Sequence, residues 1–249
     1  MKPVPLIPVF ALLWLLPSIL CVAGCTKQKS SNTLPISSTT PPAAPAPVAD
    51  SGMRYLALGD SYTIGQGVHE NARFPAQTVA LLRQEGFALK NPEYIAVTGW
   101  TTASLASAIL RQMPQGPYDI VTLLIGVNDQ YQHMDTGGYR TRFTGLLKKS
   151  VELAGNRPAK VFVLSIPDYS ATPFVQEADK PRVSEQIDWF NAINKQITLQ
   201  NKIAYIDITP STREAKTDPT LVADDGLHPS GTAYKIWAEM LAPLIKQAL

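Results

Sequence analysis

Two runs in this chain are apolar at every position but one: Ile120-Val121-Thr122-Leu123-Leu124-Ile125 and Val161-Phe162-Val163-Leu164. A strand with one face in water alternates polar and apolar residues. A continuous run rich in branched side chains suits a strand covered on both faces. With the shorter runs around them, these segments predict strands at 53–58, 93–98, 119–125, 160–165 and 202–208. Helical spacing fills the intervals, so the expected fold class is α/β: a three-layer α/β/α domain on a parallel five-stranded sheet.

The helical stripes are explicit. Leu105, Ile109 and Met113 step by four, as do Phe143, Leu147 and Val151. Val183, Ile187, Phe190, Ile193 and Ile197 step by four and three, as do Tyr234, Trp237, Leu241 and Leu244. These are core-facing stripes, and their aromatics read as packing. Pro181 and Pro229 fit the preference for proline in a first helical turn. No internal repeat interrupts the pattern.

The domain is expected to begin only at residue 53. Lys2 precedes an apolar stretch from Val4 to Gly24 broken by Pro5, Pro8 and Pro17, which reads as a signal peptide over 1–24 rather than a stable span. It ends in Val22-Ala23-Gly24-Cys25, which resembles a bacterial lipobox and makes Cys25 a lipidation candidate; simple cleavage beside an incidental cysteine, or an uncleaved anchor, is the alternative. Residues 25–52 are rich in Ser, Thr, Pro and Ala, with too few large apolar side chains to build a core. They read as a linker with a reach on the order of 30 Å. The expected location is therefore the cell envelope, on a membrane reached through an N-terminal lipid anchor. No cysteine follows Cys25, so the domain has neither a disulfide nor a thiol nucleophile. From residue 53 onward 19 basic residues balance 19 acidic ones with no basic run, which gives no footprint for nucleic acid.

In open parallel sheets, ligands bind beyond the carboxyl ends of the strands. The polar, glycine-containing segments fall at those ends. Gly59-Asp60-Ser61-Tyr62 follows the first strand, Thr98-Gly99-Trp100-Thr101-Thr102 the second, and Gly126-Val127-Asn128-Asp129 the third. Pro167-Asp168-Tyr169 follows the fourth, and Asp225-Gly226-Leu227-His228-Pro229 lies beyond the fifth. Loops at the other edge, such as Gly116-Pro117 and Gly155-Asn156-Arg157-Pro158, carry only turn chemistry.

Alone, Gly59-Asp60-Ser61-Tyr62 reads equally well as a turn with capping chemistry. A serine becomes a nucleophile when a base takes its proton and a third group orients the base. Of the three histidines, His69 and His133 lie in polar loops, whereas His228 follows Asp225 by three residues. That spacing can fold the carboxylate onto one ring nitrogen and leave the other for Ser61. An ester oxyanion also needs preorganised donors, for which the Ser61 N–H, the Gly99 N–H and the Asn128 side-chain amide are the natural set. Asp225, Gly99 and Asn128 also have plain turn or cap readings.

The four blocks Gly59-Asp60-Ser61-Tyr62, Gly99, Gly126-Val127-Asn128-Asp129 and Asp225-Gly226-Leu227-His228-Pro229 stand in the order that resembles the SGNH (GDSL) hydrolase family. The resemblance spans residues 53–249. It implies a flavodoxin-like sheet of strand order 2-1-3-4-5, with Ser61 as nucleophile, His228 as base and Asp225 orienting it. It also implies Ser61, Gly99 and Asn128 as the oxyanion hole. Tyr62 stands where the motif has leucine. Thr63 removes the last glycine of a Gly-x-Ser-x-Gly elbow, which argues against an α/β-hydrolase.

The expected activity is ester hydrolysis through a Ser61 acyl-enzyme. Tyr62, Trp100, Tyr131 and Tyr169, with the loop from Pro167 to Phe174, are the residues expected to shape the acyl and alcohol pockets, although they read equally as side chains partly buried under loops. The absence of a long apolar lid segment suits short acyl groups, with a small-molecule or glycan ester such as O-acetylated carbohydrate as substrate. Lysophospholipid or other lipid ester hydrolysis is the alternative, and a non-catalytic carbohydrate-binding module is the alternative of another class. No cofactor is called for. Scattered histidines suggest no metal site, and without a Gly-x-x-x-x-Gly-Lys-Ser/Thr loop a nucleotide-binding role is disfavoured.

Overall fold

The computed structural model describes residues 52–249. The signal peptide, Cys25 and the linker up to residue 51 fall outside these described residues. Five strands form one all-parallel sheet: β1 (Tyr55–Gly59), β2 (Glu93–Ala96), β3 (Ile120–Leu124), β4 (Val161–Leu164) and β5 (Ala204–Ile206), in the order β2-β1-β3-β4-β5. β1, β3 and β4 are buried along their whole length, as their continuously apolar sequence requires. β2 and β5 are edge strands and shorter than predicted.

Eight α-helices connect and cover the strands: α1 (Ser61–Ile64), α2 (Phe74–Gln84), α3 (Thr102–Gln112), α4 (Val127–Tyr131), α5 (Thr136–Leu153), α6 (Lys180–Gln200), α7 (Thr209–Arg213) and α8 (Gly231–Ala248). α2 packs on α8, while α5 packs on α3 and α6, which gives the two helical layers of the sandwich. On α8, Tyr234, Trp237, Leu241 and Ile245 recur every three or four residues and are almost wholly buried. Truncating Leu241 to alanine would cost about 2–5 kcal/mol, because a packed core cannot close over the void.

Three details depart from expectation. Met113 is not on the core stripe of α3: it caps the helix C-terminus in a left-handed conformation, φ 44°, and is 68% exposed. Pro229 lies before the last helix rather than in its first turn; Ser230 is the N-cap, accepting from Ala233 N–H, and Pro229 pairs with Val222 in an antiparallel bridge. α2 has no counterpart among the stripes of the sequence, although Phe74, Val79 and Leu82 are buried along it.

Chain direction reverses across the sheet at β1. From there the chain goes first to β2 on one side and then to β3 on the other. The loops leaving β1 and β3 therefore diverge and open a crevice at the carboxyl edge. Register places Gly59 of β1 beside both Ala96 of β2 and Leu124 of β3, so the three following loops start level with one another.

Candidate active site

A cleft of about 500 Å³ opens at this switch point. Ser61, Gly99, Asn128 and His228 line it, with Tyr62, Tyr131, Tyr169 and Phe174 among the walls.

Ser61 is the first residue of α1, held there by Asp60. The Asp60 carboxylate caps the helix by accepting the Tyr62 N–H at 3.0 Å, and its carbonyl accepts from Thr63 and Ile64. The N–H of a first helical residue has no intrahelical partner, so that of Ser61 is available to a ligand. Asp60 is completely buried and its Oδ2 has no hydrogen-bond partner. Burial pushes its carboxyl up to about 8; the Tyr62 N–H opposes this and the nearby Asp129 adds to it.

Asp225 and His228 form one local device. Asp225 Oδ1 accepts the N–H groups of Leu227 and His228 at 3.0 and 2.9 Å, and Oδ2 lies 2.7 Å from His228 Nδ1. The carboxylate accepts only, so Nδ1 donates to it, and Nε2 is the ring nitrogen turned away from Asp225. Partial burial opposes ionisation of Asp225, but the hydrogen bonds from His228 and Leu227 outweigh it and hold the carboxyl below its usual range. The turn is clamped by Ala223 N–H to the His228 carbonyl (2.8 Å) and by Phe174 N–H to the Gly226 carbonyl (3.2 Å). The imidazole is nearly buried, and its ring centroid lies 5.1 Å from that of Tyr62. Nε2 makes no hydrogen bond to Ser61; such bonds are commonly long without substrate and tighten in the complex.

Gly99 adopts φ +81°, a left-handed conformation that glycine enters without penalty. Its N–H has no partner among the described residues. Asn128 sits in α4, which begins at Gly126. There φ is +130°, and a Cβ would come within 2.7 Å of the Tyr139 ring, so both conformation and space require glycine. Asn128 Nδ2 donates to the Trp100 carbonyl at 3.0 Å.

The expected aromatics divide. Tyr131, Tyr169 and Phe174 form a triangle with centroid separations of 6.2–6.4 Å on the cleft wall. Tyr62 also lines the cleft, but at 3% exposure it is a packed floor beneath His228 rather than an open contact surface. Trp100 is not on the cleft wall. The turn closed by Trp100 N–H on the Val97 carbonyl leaves its side chain half-buried against the core, and it is the Trp100 carbonyl that faces the site, through Asn128. His69 and His133 line other surface grooves.

Supporting residues emerge to which the sequence assigned no role. Asp129, wholly buried, accepts from Thr102 N–H (2.8 Å), Thr102 Oγ1 (2.5 Å) and Arg142 Nη2 (3.2 Å), tying α4 to the start of α3. Asp168 anchors the loop after β4, accepting from Ser170 N–H, Ser184 Oγ and Arg213 Nε. Burial opposes its charge, yet these bonds keep its carboxyl below the usual range. Asn191 pins the same loop by bonding both the N–H and the carbonyl of Ile166. Their signal in the sequence was only a polar residue beside an apolar run. Among the described residues no group of His, Cys, Asp and Glu is placed to hold a metal ion, and no helix is long and apolar enough to cross a membrane.

Solved structures share this architecture. TesA is 20% identical, with TM-score 0.61 over 79% of this chain and 100% of its own. The psychrotrophic esterase EstA from Pseudoalteromonas sp., in a structure inhibited by monoethylphosphonate, is 18% identical, with TM-score 0.59 over 78% of this chain and 97% of its own. Axe2, an acetylxylan esterase from Geobacillus stearothermophilus, is 19% identical, with TM-score 0.59 over 78% and 94%. At such identities the likeness establishes the fold. Comparison with curated proteins finds no match. The profile of the GDSL-like lipase/acylhydrolase family matches residues 57–236. That span runs from β1 into α8 and takes in Ser61, Gly99, Asn128, Asp225 and His228, so the chain belongs to the GDSL-like lipase/acylhydrolase family and is a carboxylic ester hydrolase.

Proposed function

We propose that this hydrolase works through a Ser61 acyl-enzyme on short-acyl esters, with O-acetylated carbohydrate as the natural class. The observation that carries the reading is the 2.7 Å contact of His228 Nδ1 with Asp225, which leaves Nε2 free in the cleft that Ser61 also lines. His228 takes the Ser61 proton as Oγ bonds the ester carbonyl carbon. The oxyanion receives the N–H groups of Ser61 and Gly99 and the side-chain amide of Asn128. When the tetrahedral adduct collapses, the ester C–O bond breaks and His228 returns the proton to the departing alcohol. Water then repeats the sequence on the acyl-enzyme, releasing the acid and restoring Ser61.

What supports the short-acyl preference is the aromatic triangle, which closes one side of the cleft. The purified full chain should hydrolyse p-nitrophenyl acetate, and Ser61→Ala should lower kcat by on the order of 10⁴ or more. Equal turnover by wild type and variant would remove Ser61 from the mechanism. Across a series from acetyl to palmitoyl esters, a maximum at long chains would instead assign a lysophospholipase or other lipid esterase. Glycan binding without turnover would assign a binding module. We further propose export and anchoring through Cys25. Metabolic labelling with a palmitate analogue, lost in Cys25→Ala, is the corresponding test.

A further inference from the structure

A second groove of about 630 Å³ runs beside the cleft, and Tyr131, Tyr169 and Phe174 line both. The aromatic triangle is thus a shared wall. Tyr131 is 52% and Phe174 49% exposed, an unusual amount of open aromatic surface next to a reaction centre. On the cleft side the wall meets apolar neighbours such as Val127 and Leu227. On the far side it meets His133, Gln176, Asp179 and Arg182.

We propose that this groove is the subsite for the alcohol portion of the substrate, and that it takes a polyhydroxylated group laid across the exposed faces of Tyr131 and Phe174. The inference rests on the esterase reading above. Four observations support it. The groove adjoins the cleft, and the half-exposed rings of Tyr131 and Phe174 are their common wall, so an ester reaching from one to the other would pass over these two rings. Its lining mixes donors and acceptors: the Gln176 amide, the Asp179 carboxylate, the Arg182 guanidinium and the His133 imidazole. Hydroxyls, which both donate and accept, can pair with all of them, whereas an alkyl chain would strip water from each and return nothing. Charge is balanced within the groove, because Arg182 Nη2 lies 2.7 Å from Asp179 Oδ1; this favours a neutral ligand over an anionic one. Finally, the His133 ring has no hydrogen-bond partner among the described residues, and its backbone holds a left-handed φ of 55°, with its N–H fixed on the Gln130 carbonyl at the end of α4. The wall is stiff where it matters: Tyr169 Oη donates to Gln130 at 2.7 Å, and Gln130 in turn donates to Gln186 at 2.8 Å.

His133 and Arg182 are therefore specificity-determining residues for the leaving group. The test compares kcat/KM of the full chain on an acetylated xylo-oligosaccharide with that on p-nitrophenyl acetate, whose leaving group carries no array of hydroxyls for the groove to pair with. In His133→Ala and Arg182→Ala the oligosaccharide-to-nitrophenyl ratio should fall about 3–10-fold each, the loss of one net hydrogen bond, mainly through KM. Tyr131→Ala should lower the ratio further. An unchanged ratio in all three variants, or both substrates falling in parallel, would overturn the subsite. So would wild-type hydrolysis of palmitoyl esters faster than acetyl esters that falls selectively in Tyr131→Ala, since the groove would then be holding an acyl chain. Turnover of p-nitrophenyl acetate that depends on Ser61 would persist through any of these outcomes, so the subsite can fail while the esterase reading stands.

Discussion

Asn128 donates one amide hydrogen to the carbonyl of Trp100, 28 residues earlier in the chain, at 3.0 Å. This bond joins the loop after β3 to the loop after β2 and orients the side chain. One N–H is committed to the Trp100 carbonyl, and the same side-chain amide also acts on the buried Asp60 carboxyl, favouring its charged form. The next residue, Asp129, reinforces the join by holding Thr102 and Arg142. The positions of Gly99 and Asn128 relative to each other are thus set by two adjacent side chains on one helix.

If Asn128 stabilises the oxyanion, Asn128→Ala should lower kcat by about 10²–10³ with little change in KM. Asp129→Ala should act differently. It removes the buried acceptor from Thr102 and Arg142, destabilises the fold by about 1–3 kcal/mol, and reduces activity through misplacement. Urea denaturation alongside steady-state kinetics separates the two. An Asp129 variant with full stability and low kcat would contradict the supporting role.

Asp225→Asn should preserve the turn and damage the chemistry. The amide oxygen can still accept the Leu227 and His228 N–H groups, but an NH₂ facing Nδ1 can only donate. The imidazole then has to carry its hydrogen on Nε2, the wrong nitrogen for a base toward Ser61. A fall in kcat approaching 10⁴ with a nearly unchanged Tm is the expected outcome. A loss of stability of several kcal/mol with modest kinetic change would mean that Asp225 is chiefly a turn residue.

Gly126→Ala should be among the most damaging single-methyl changes in the domain. Its φ of +130° is hostile to any L side chain, and the added Cβ would sit 2.7 Å from the Tyr139 ring. Strain and overlap together should cost about 2–5 kcal/mol, read as a shift in the urea midpoint. A shift below about 0.5 kcal/mol would show that the β3 end relaxes freely.

Asp60 predicts a pH dependence. Its folded value of about 8 lies above the ordinary 3.8, because burial disfavours the charge. The unfolded chain therefore releases this proton at lower pH than the folded one. The stabilising contribution of the neutral carboxyl is fully present below pH about 3.8 and is lost as pH rises through about 8. Asp60→Asn keeps the acceptor for Tyr62 N–H and cannot ionise. Its stability relative to wild type should rise between pH 5 and pH 8 and then level off. Parallel curves for the two proteins over that range would show that Asp60 is already charged in the fold.

The sequence alone determined the layer architecture, the strand positions to within a few residues, and the convergence of the Ser61, Gly99, Asn128 and His228 segments at one edge of the sheet. The reason is physical. A strand covered on both faces needs an unbroken apolar run, and the ligand edge of a parallel sheet needs glycine and polar residues directly after such runs. Both constraints are local, so they are written in consecutive residues. The Asp225–His228 pair was legible for the same reason, since its partners stand three apart in one turn.

What only the tertiary structure decided involves partners distant in the chain. Asp129 meets Thr102 across 27 residues, Asp168 meets Arg213 across 45, and Asn191 meets Ile166 across 25. The sequence places Asp129 and Asp168 at the ligand edge of the sheet but names no partner for them, and it marks no contact for Asn191, because nothing local announces one so far along the chain. Trp100 looked like a substrate contact because its neighbours form the site; the turn at Gly99 sends its ring toward the core and its carbonyl toward Asn128. Met113 continued a four-residue stripe that a left-handed cap ends. Side-chain direction at a loop or helix end depends on a single backbone angle and on whatever packs there, and neither leaves a periodic trace.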